Sequence, residues 1–276
     1  MSRVVSVALA GALVLGMGAA PAQAFNFWFS NGTACPAFNL NCIANGNDQV
    51  QAGAGNGAAT AQYGLLNSNS GVQANSGSGG NLDVTLQGGF LNANQNVQAN
   101  SGTGGNLNGT GQIGVLNINR NTQANSGAGG NLNGAGQIGA FNVNQNTQAN
   151  SGAGGNVNGT LQVGAFNFNS STQANSGAGS NVNTTLQVGA FNGNTSRQDG
   201  TGNTNTTTQL GAFNGNSSTQ TGNGNTNATT QVGFGNSAST SQNGDGNTAT
   251  TKQYGGGNTS VVVQSGNGNS AGFTQH

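Results

Sequence analysis

The chain has 276 residues, of which 3% are charged and 32% apolar, against about 25% and 45 to 50% in ordinary globular domains. Four cations (Arg3, Arg120, Arg197, Lys252) balance four aspartates, and 52 positions are glycine. These figures exclude a conventional enzyme core, a nucleic-acid surface whose affinity scales with the phosphates it neutralises, and a calcium roll, which needs an acid in every turn. What polarity remains is amide and hydroxyl, the composition of chains that pair readily with copies of themselves.

The N-terminus reads Met1-Ser2-Arg3, then an apolar stretch from Val4 to Ala20, then Pro21-Ala22-Gln23-Ala24. One positive charge, a short apolar run and an Ala-x-Ala site describe a secretory signal peptide over residues 1–24, cleaved after Ala24. A membrane anchor is the alternative, but no later run is apolar for long enough to span a bilayer. The chain from Phe25 carries three cations and four acids, a net charge of −1.

Residues 25–44 form a leader without regular pattern, holding Cys35 and Cys42. In an exported chain this even pair fits a disulfide across a small loop. Zinc does not fit, because the sole histidine is His276 and two thiolates make a poor tetrahedral site. Phe25, Phe27, Trp28 and Phe29 read either as a segment recognised by a secretion apparatus or partner, or as a remnant of export.

From Asn45 onward the chain is one repeated unit: Asn, five residues, Gln, then a glycine-containing link to the next Asn. Twenty such units follow one another, and the Asn-to-Gln distance is six in each. Early pairs are Asn56 with Gln62, Asn67 with Gln73, Asn81 with Gln87, Asn92 with Gln98, Asn106 with Gln112 and Asn117 with Gln123. Asn131 with Gln137, Asn142 with Gln148, Asn156 with Gln162, Asn167 with Gln173, Asn181 with Gln187 and Asn192 with Gln198 continue the series. It runs on through Asn203 with Gln209, Asn214 with Gln220, Asn225 with Gln231, Asn236 with Gln242, Asn247 with Gln253 and Asn258 with Gln264. After Gln73, Gln98, Gln123, Gln148 and Gln173 the link is three residues longer, so paired units repeat every 25 residues early and every 22 later.

Insertions fall in links and spare packed segments, so the seven residues from Asn to Gln are the regular element. Rich in Thr, Val, Leu and Asn and bounded by glycine, they read as strands; this glycine density excludes helix. Alternation places Asn81, Asp83, Thr85 and Gln87 on one face and Leu82, Val84 and Leu86 on the other. Hydrophobic patterning alone puts the aliphatic face inside. Exact repetition argues the reverse, since identical amides stacked at about 4.8 Å can satisfy one another in ladders. The expectation is therefore an all-β solenoid of about ten strand-arc-strand rungs with amides inside, a rod about 48 Å long. Gly64, Gly89, Gly114, Gly139, Gly164, Gly189, Gly211, Gly233 and Gly255 would supply arc angles that other residues resist. Both ends would be open strand edges, templates for polymerisation into cross-β amyloid.

The frame Asn247, Gln253, Gly255, Asn258, Ser260, Gln264 resembles the curlin repeat, in which Gln-x-Gly-x-x-Asn-x-Ala leads to a final Gln. Asn225, Gln231, Gly233, Asn236, Ala238 and Gln242 follow it too; Asn69, Asn94, Asn119, Asn144, Asn169, Asn194 and Asn216 replace the Ala in earlier pairs. The resemblance implies a secreted subunit of curli-like fibres at the bacterial cell surface, serving adhesion and biofilm matrix. It further implies an outer-membrane secretion pore and a nucleator subunit as partners, a solenoid with Gln and Asn ladders inside, and a secretion-targeting role for the leader. The chain departs from the family in its longer links, its Asn or Asp at the second inward position, and its cysteine pair.

Asp83 falls on the amide face, where a carboxylate is costly unless paired or protonated; it reads either as a brake on self-association or as the mark of a locally open rung. Arg120, Arg197, Asp199, Asp245 and Lys252 read as charges that restrain aggregation or as plain solvated residues. Phe141, Phe166, Phe191 and Phe213 recur at one arc position, as a stripe for lateral packing or adhesion, or as caps on the core ends. No cofactor and no catalytic set is expected, and His276 has no partner in a known motif. Besides the bulk fibre subunit, the alternatives are the minor nucleator subunit, a disordered matrix protein, and an ice-binding or surface-coating solenoid suggested by Thr206, Thr207, Thr208, Thr229 and Thr230.

Overall fold

The computed structural model describes residues 45–276; the signal peptide, the leader and the pair Cys35 and Cys42 lie outside the described residues. All regular elements in this span are strands, beginning with β1 (Gly46–Ala52), β2 (Asn56–Leu65) and β3 (Ser68–Asn75) and ending with β19 (Thr259–Ser265) and β20 (Ser270–Gln275). Odd-numbered strands form one ten-stranded sheet and even-numbered strands a second, each in chain order. All pairings are parallel, so the chain winds as a β-solenoid, advancing one strand in each sheet per turn.

Register follows the repeat without slippage. Gln62 pairs with Gln87, Asn156 with Asn181, and Gln187 with Gln209 across the change from 25- to 22-residue turns. The two sheets face each other across an interior of amides and hydroxyls. The largest fully buried side chains are glutamines, from Gln73 to Gln209, while among the described residues the buried apolar ones are only Ala135, Ala238, Ala249 and Val262. Leu82, Val84 and Leu86 stand on the outer surface, each 44 to 45% exposed. Hydrophobic patterning is thus inverted. A buried amide without a partner would cost about 2 to 7 kcal/mol, so this interior is stable only because the repeat places a partner on the neighbouring rung.

The two sheets are built from unequal halves of the repeat. Even-numbered strands run on beyond the glutamine, as β2 does to Leu65, whereas β3 starts one residue after Asn67. The glycine two places after each such glutamine lies inside the extended strand, with φ between +93° and +132° from Gly64 to Gly255. A Cβ on Gly164 would collide with the carbonyl oxygen of Gly189 on the next rung. The chain turns sharply at the residue before the next Asn. Leu66, Leu91, Leu116, Phe141, Phe166, Phe191 and Phe213 hold this place in the left-handed region, at φ 56° to 58°, a conformation that costs an L-residue roughly 1 to 2 kcal/mol. Glycine occupies it at 235 and 257.

Candidate functional site

Columns of identical amides run the length of the stack. In the even sheet Gln62 Nε2 donates to Gln87 Oε1 at 2.7 Å, Gln87 to Gln112 at 2.7 Å and Gln112 to Gln137 at 2.8 Å. The column continues through Gln162, Gln187, Gln209, Gln231 and Gln253 to Gln275. A matching column in the odd sheet joins Gln51, Gln73, Gln98, Gln123, Gln148, Gln173, Gln198, Gln220, Gln242 and Gln264. Each glutamine also laces the sheets together: Gln87 Nε2 donates to Ser68 O at 2.9 Å, and Gln98 Nε2 to Leu82 O at 3.0 Å.

Asparagine columns complete the interior. At the arcs Asn92 Nδ2 donates to Asn67 Oδ1 at 3.1 Å and caps the carbonyls of Gly88 and Gly114, and the pattern recurs at Asn117, Asn142, Asn167, Asn192, Asn214 and Asn236. At the other corner Asn81, Asn106, Asn131, Asn156 and Asn181 stack on Asn56 in the same manner. Asn203, Asn225 and Asn247 are joined there through backbone N–H donation to the preceding Asn Oδ1. In the arc column Asn258 donates only its backbone N–H to Asn236 Oδ1, and its Nδ2 goes to Tyr254 O.

The glutamine and asparagine columns point in opposite directions. Glutamine side chains donate toward the C-terminal rung, asparagine side chains toward the N-terminal one. This direction also explains Asp83. The carboxylate lies in a column where Asn108 donates to it at 2.7 Å, Asn133 to Asn108 and Asn158 to Asn133. Its neighbour on the opposite side is Ala58, which offers no acceptor. A carboxylate accepts without having to donate, so Asp83 ends the column where asparagine would leave an orphan N–H. Asn96 reaches both its oxygens from the facing sheet, at 2.8 and 3.0 Å. At 1% exposure the rung is closed, which overturns the locally open reading. Burial raises its pKa above the usual 3.8, against the lowering effect of the Asn108 and Asn96 hydrogen bonds.

Two asparagine columns stop at alanine before the end of the stack. The carbonyl oxygens of Asn216 and Asn227 have no donor, because the next rung places Ala238 and Ala249 opposite them. The glutamine columns continue through these rungs.

The remaining singled-out residues lie on the outside. Phe141, Phe166, Phe191 and Phe213 are stacked face to face with centroids 4.8 Å apart, 42 to 52% exposed, and so cap no core end. Arg197 and Asp199 form an exposed ion pair at 3.3 Å, of little energetic weight. Asp245 accepts the backbone N–H of Asn223 in a turn. Thr207 and Thr229 point inward, at 0 and 1% exposure, so they do not belong to an outer threonine rank. Among the described residues no group of three or more His, Cys, Asp or Glu is arranged to hold a metal. Sequence reasoning missed the donor directions and the termination of columns by Asp83 and alanine; the signal was present in the replacement of Asn by Ala or Asp at single rungs.

The family model of the curlin associated repeat matches residues 244–276. In this stretch the second inward position is Ala or Ser (Ala249, Ser260, Ala271), where earlier units mostly carry Asn. A comparison with curated proteins gives no match. The chain is therefore an all-β parallel solenoid whose last rungs are similar to the curlin associated repeat.

Proposed function

We propose that this chain is the structural subunit of an extracellular, curli-like amyloid fibre that serves surface adhesion and biofilm matrix. The observation that carries this reading is the pair of glutamine columns, which reach the outermost strands of both sheets with unspent capacity. Gln264 and Gln275 accept the last bonds of their columns and have no further glutamine to donate to, and Gln51 and Gln62 donate the first bonds and accept from no preceding glutamine. A second copy placed with Gln51 over Gln264 and Gln62 over Gln275 continues both columns and both parallel sheets, and edge pairing of this kind is the basis of cross-β growth. By family resemblance the secretion pore and a nucleator are its partners, and the exported leader is read on the way out. The regularity of the stack favours the bulk subunit over the nucleator.

The chain beginning at Phe25, left at neutral pH, is expected to form thioflavin-positive filaments with reflections near about 4.7 and 10 Å. A persistently soluble chain would overturn the fibre reading.

A further inference from the structure

A ridge and a groove run along opposite edges of the solenoid. The ridge is the column of left-handed arc residues, Leu66, Leu91 and Leu116 followed by the stacked rings of Phe141, Phe166, Phe191 and Phe213. These bulky side chains stand outside at positions that strain the backbone and that hold glycine at 235 and 257. Packing within the rod does not require them. The groove, of about 600 Å³, follows the links after the odd-numbered strands, where ranks of alanine (Ala74, Ala99, Ala124) and serine line a concave bend. The asparagines and serines that line it, such as Asn75 and Ser76, open the longer links of the 25-residue turns. At the first short link Thr201 donates its hydroxyl to Gly179 O at 2.7 Å, and the lining of the groove ends at Asp199 just before it.

Ridge and groove share their repeat, one step per rung, and their extent. The groove runs from Ala52 to Asp199 and the ridge from Leu66 to Phe213, each ending about where the 25-residue turns end. Both are uncharged except for Asp199 at the end of the groove, so neither selects an ionic ligand. We infer that the ridge of one copy seats in the groove of a second copy lying alongside it, a lateral contact distinct from end-to-end growth. Each copy uses two different edges, so the contact is heterologous and propagates into flat arrays of parallel rods. Four rings about half exposed offer roughly 350 Å², less than the ~800 Å² per partner of a standard interface; repetition along a filament supplies the rest. The inference rests on the fibre reading for its partner.

The test uses the chain with Cys35→Ser and Cys42→Ser, as an equal mixture of copies carrying Phe166→Cys and copies carrying Ala124→Cys. Oxidation of the filaments is expected to join the two kinds of copy to each other. In parallel, the fourfold change of Phe141, Phe166, Phe191 and Phe213 to glycine, which suits the left-handed backbone, is expected to abolish bundling while leaving single filaments and their thioflavin kinetics intact. Joining of Phe166→Cys copies only to themselves, or bundles unaffected by the glycine changes, would overturn the inference. If the unaltered chain gives no filaments the fibre reading fails, and oxidation of the concentrated soluble mixture then decides the lateral contact: unlike copies joined support it, and no joining overturns it.

Discussion

Asp83 shows how one atom type settles a position. Asn108 and Asn96 give it three hydrogen bonds, yet removal from water still disfavours its charge and raises its pKa above 3.8. Between 3.8 and the raised value the folded chain binds more protons than the unfolded one, so stability increases as pH falls through that interval and levels off below it. The urea midpoint of the soluble solenoid should therefore rise on acidification from neutral pH. Asp83→Asn should remove that slope; a slope that persists in the variant would assign it to another group. The alternative offered by the sequence, a locally open rung, failed because the column needs an acceptor next to Ala58, and only the donor direction reveals that need.

At the scale of a strand, β10 (Asn156–Ala165) carries its energetic weight on the face that hydrophobicity scales undervalue. Gln162 accepts from Gln137 and donates to Gln187 and to Val143 O, all at 2.8 to 2.9 Å, whereas its neighbour Leu161 is 41% exposed. Gln162→Leu leaves buried polar partners unpaired and should cost about 2 to 4 kcal/mol in denaturant titration. Leu161→Thr should change stability by less than about 0.5 kcal/mol. The reverse ranking would show that aliphatic contacts hold the strand. Which side chains share a face was legible in the invariant Asn-to-Gln spacing, and the choice of face in the repetition of amides. The true strand length was not: Gly64 and its equivalents read as turns, although a glycine at positive φ can remain within the ladder when the same glycine sits above it. Nor was the sharp bend at Leu66 or Phe141, because bulky residues are not expected in the left-handed region.

The whole molecule has a direction. Glutamine columns that donate one way and asparagine columns that donate the other give each end of the stack its own pattern of donors and acceptors, so a copy arriving reversed meets donor with donor. Growth by addition to these ends predicts that deletion of residues 269–276, which removes β20 and the donor of Gln275, slows elongation more than excision of the internal turn 225–246. Equal elongation rates for the two variants, followed by thioflavin fluorescence from preformed seeds, would count against templating at the ends. The amide interior also has a thermal consequence. Unfolding an ordinary domain bares apolar surface and raises the heat capacity, whereas baring polar surface lowers it. Here aliphatic and aromatic side chains such as Leu82 and Phe166 are already substantially exposed in the folded state, and the surface released from the interior is chiefly amide. The two contributions work against each other, so the stability curve of this solenoid is flattened, losing little on cooling and little on moderate heating.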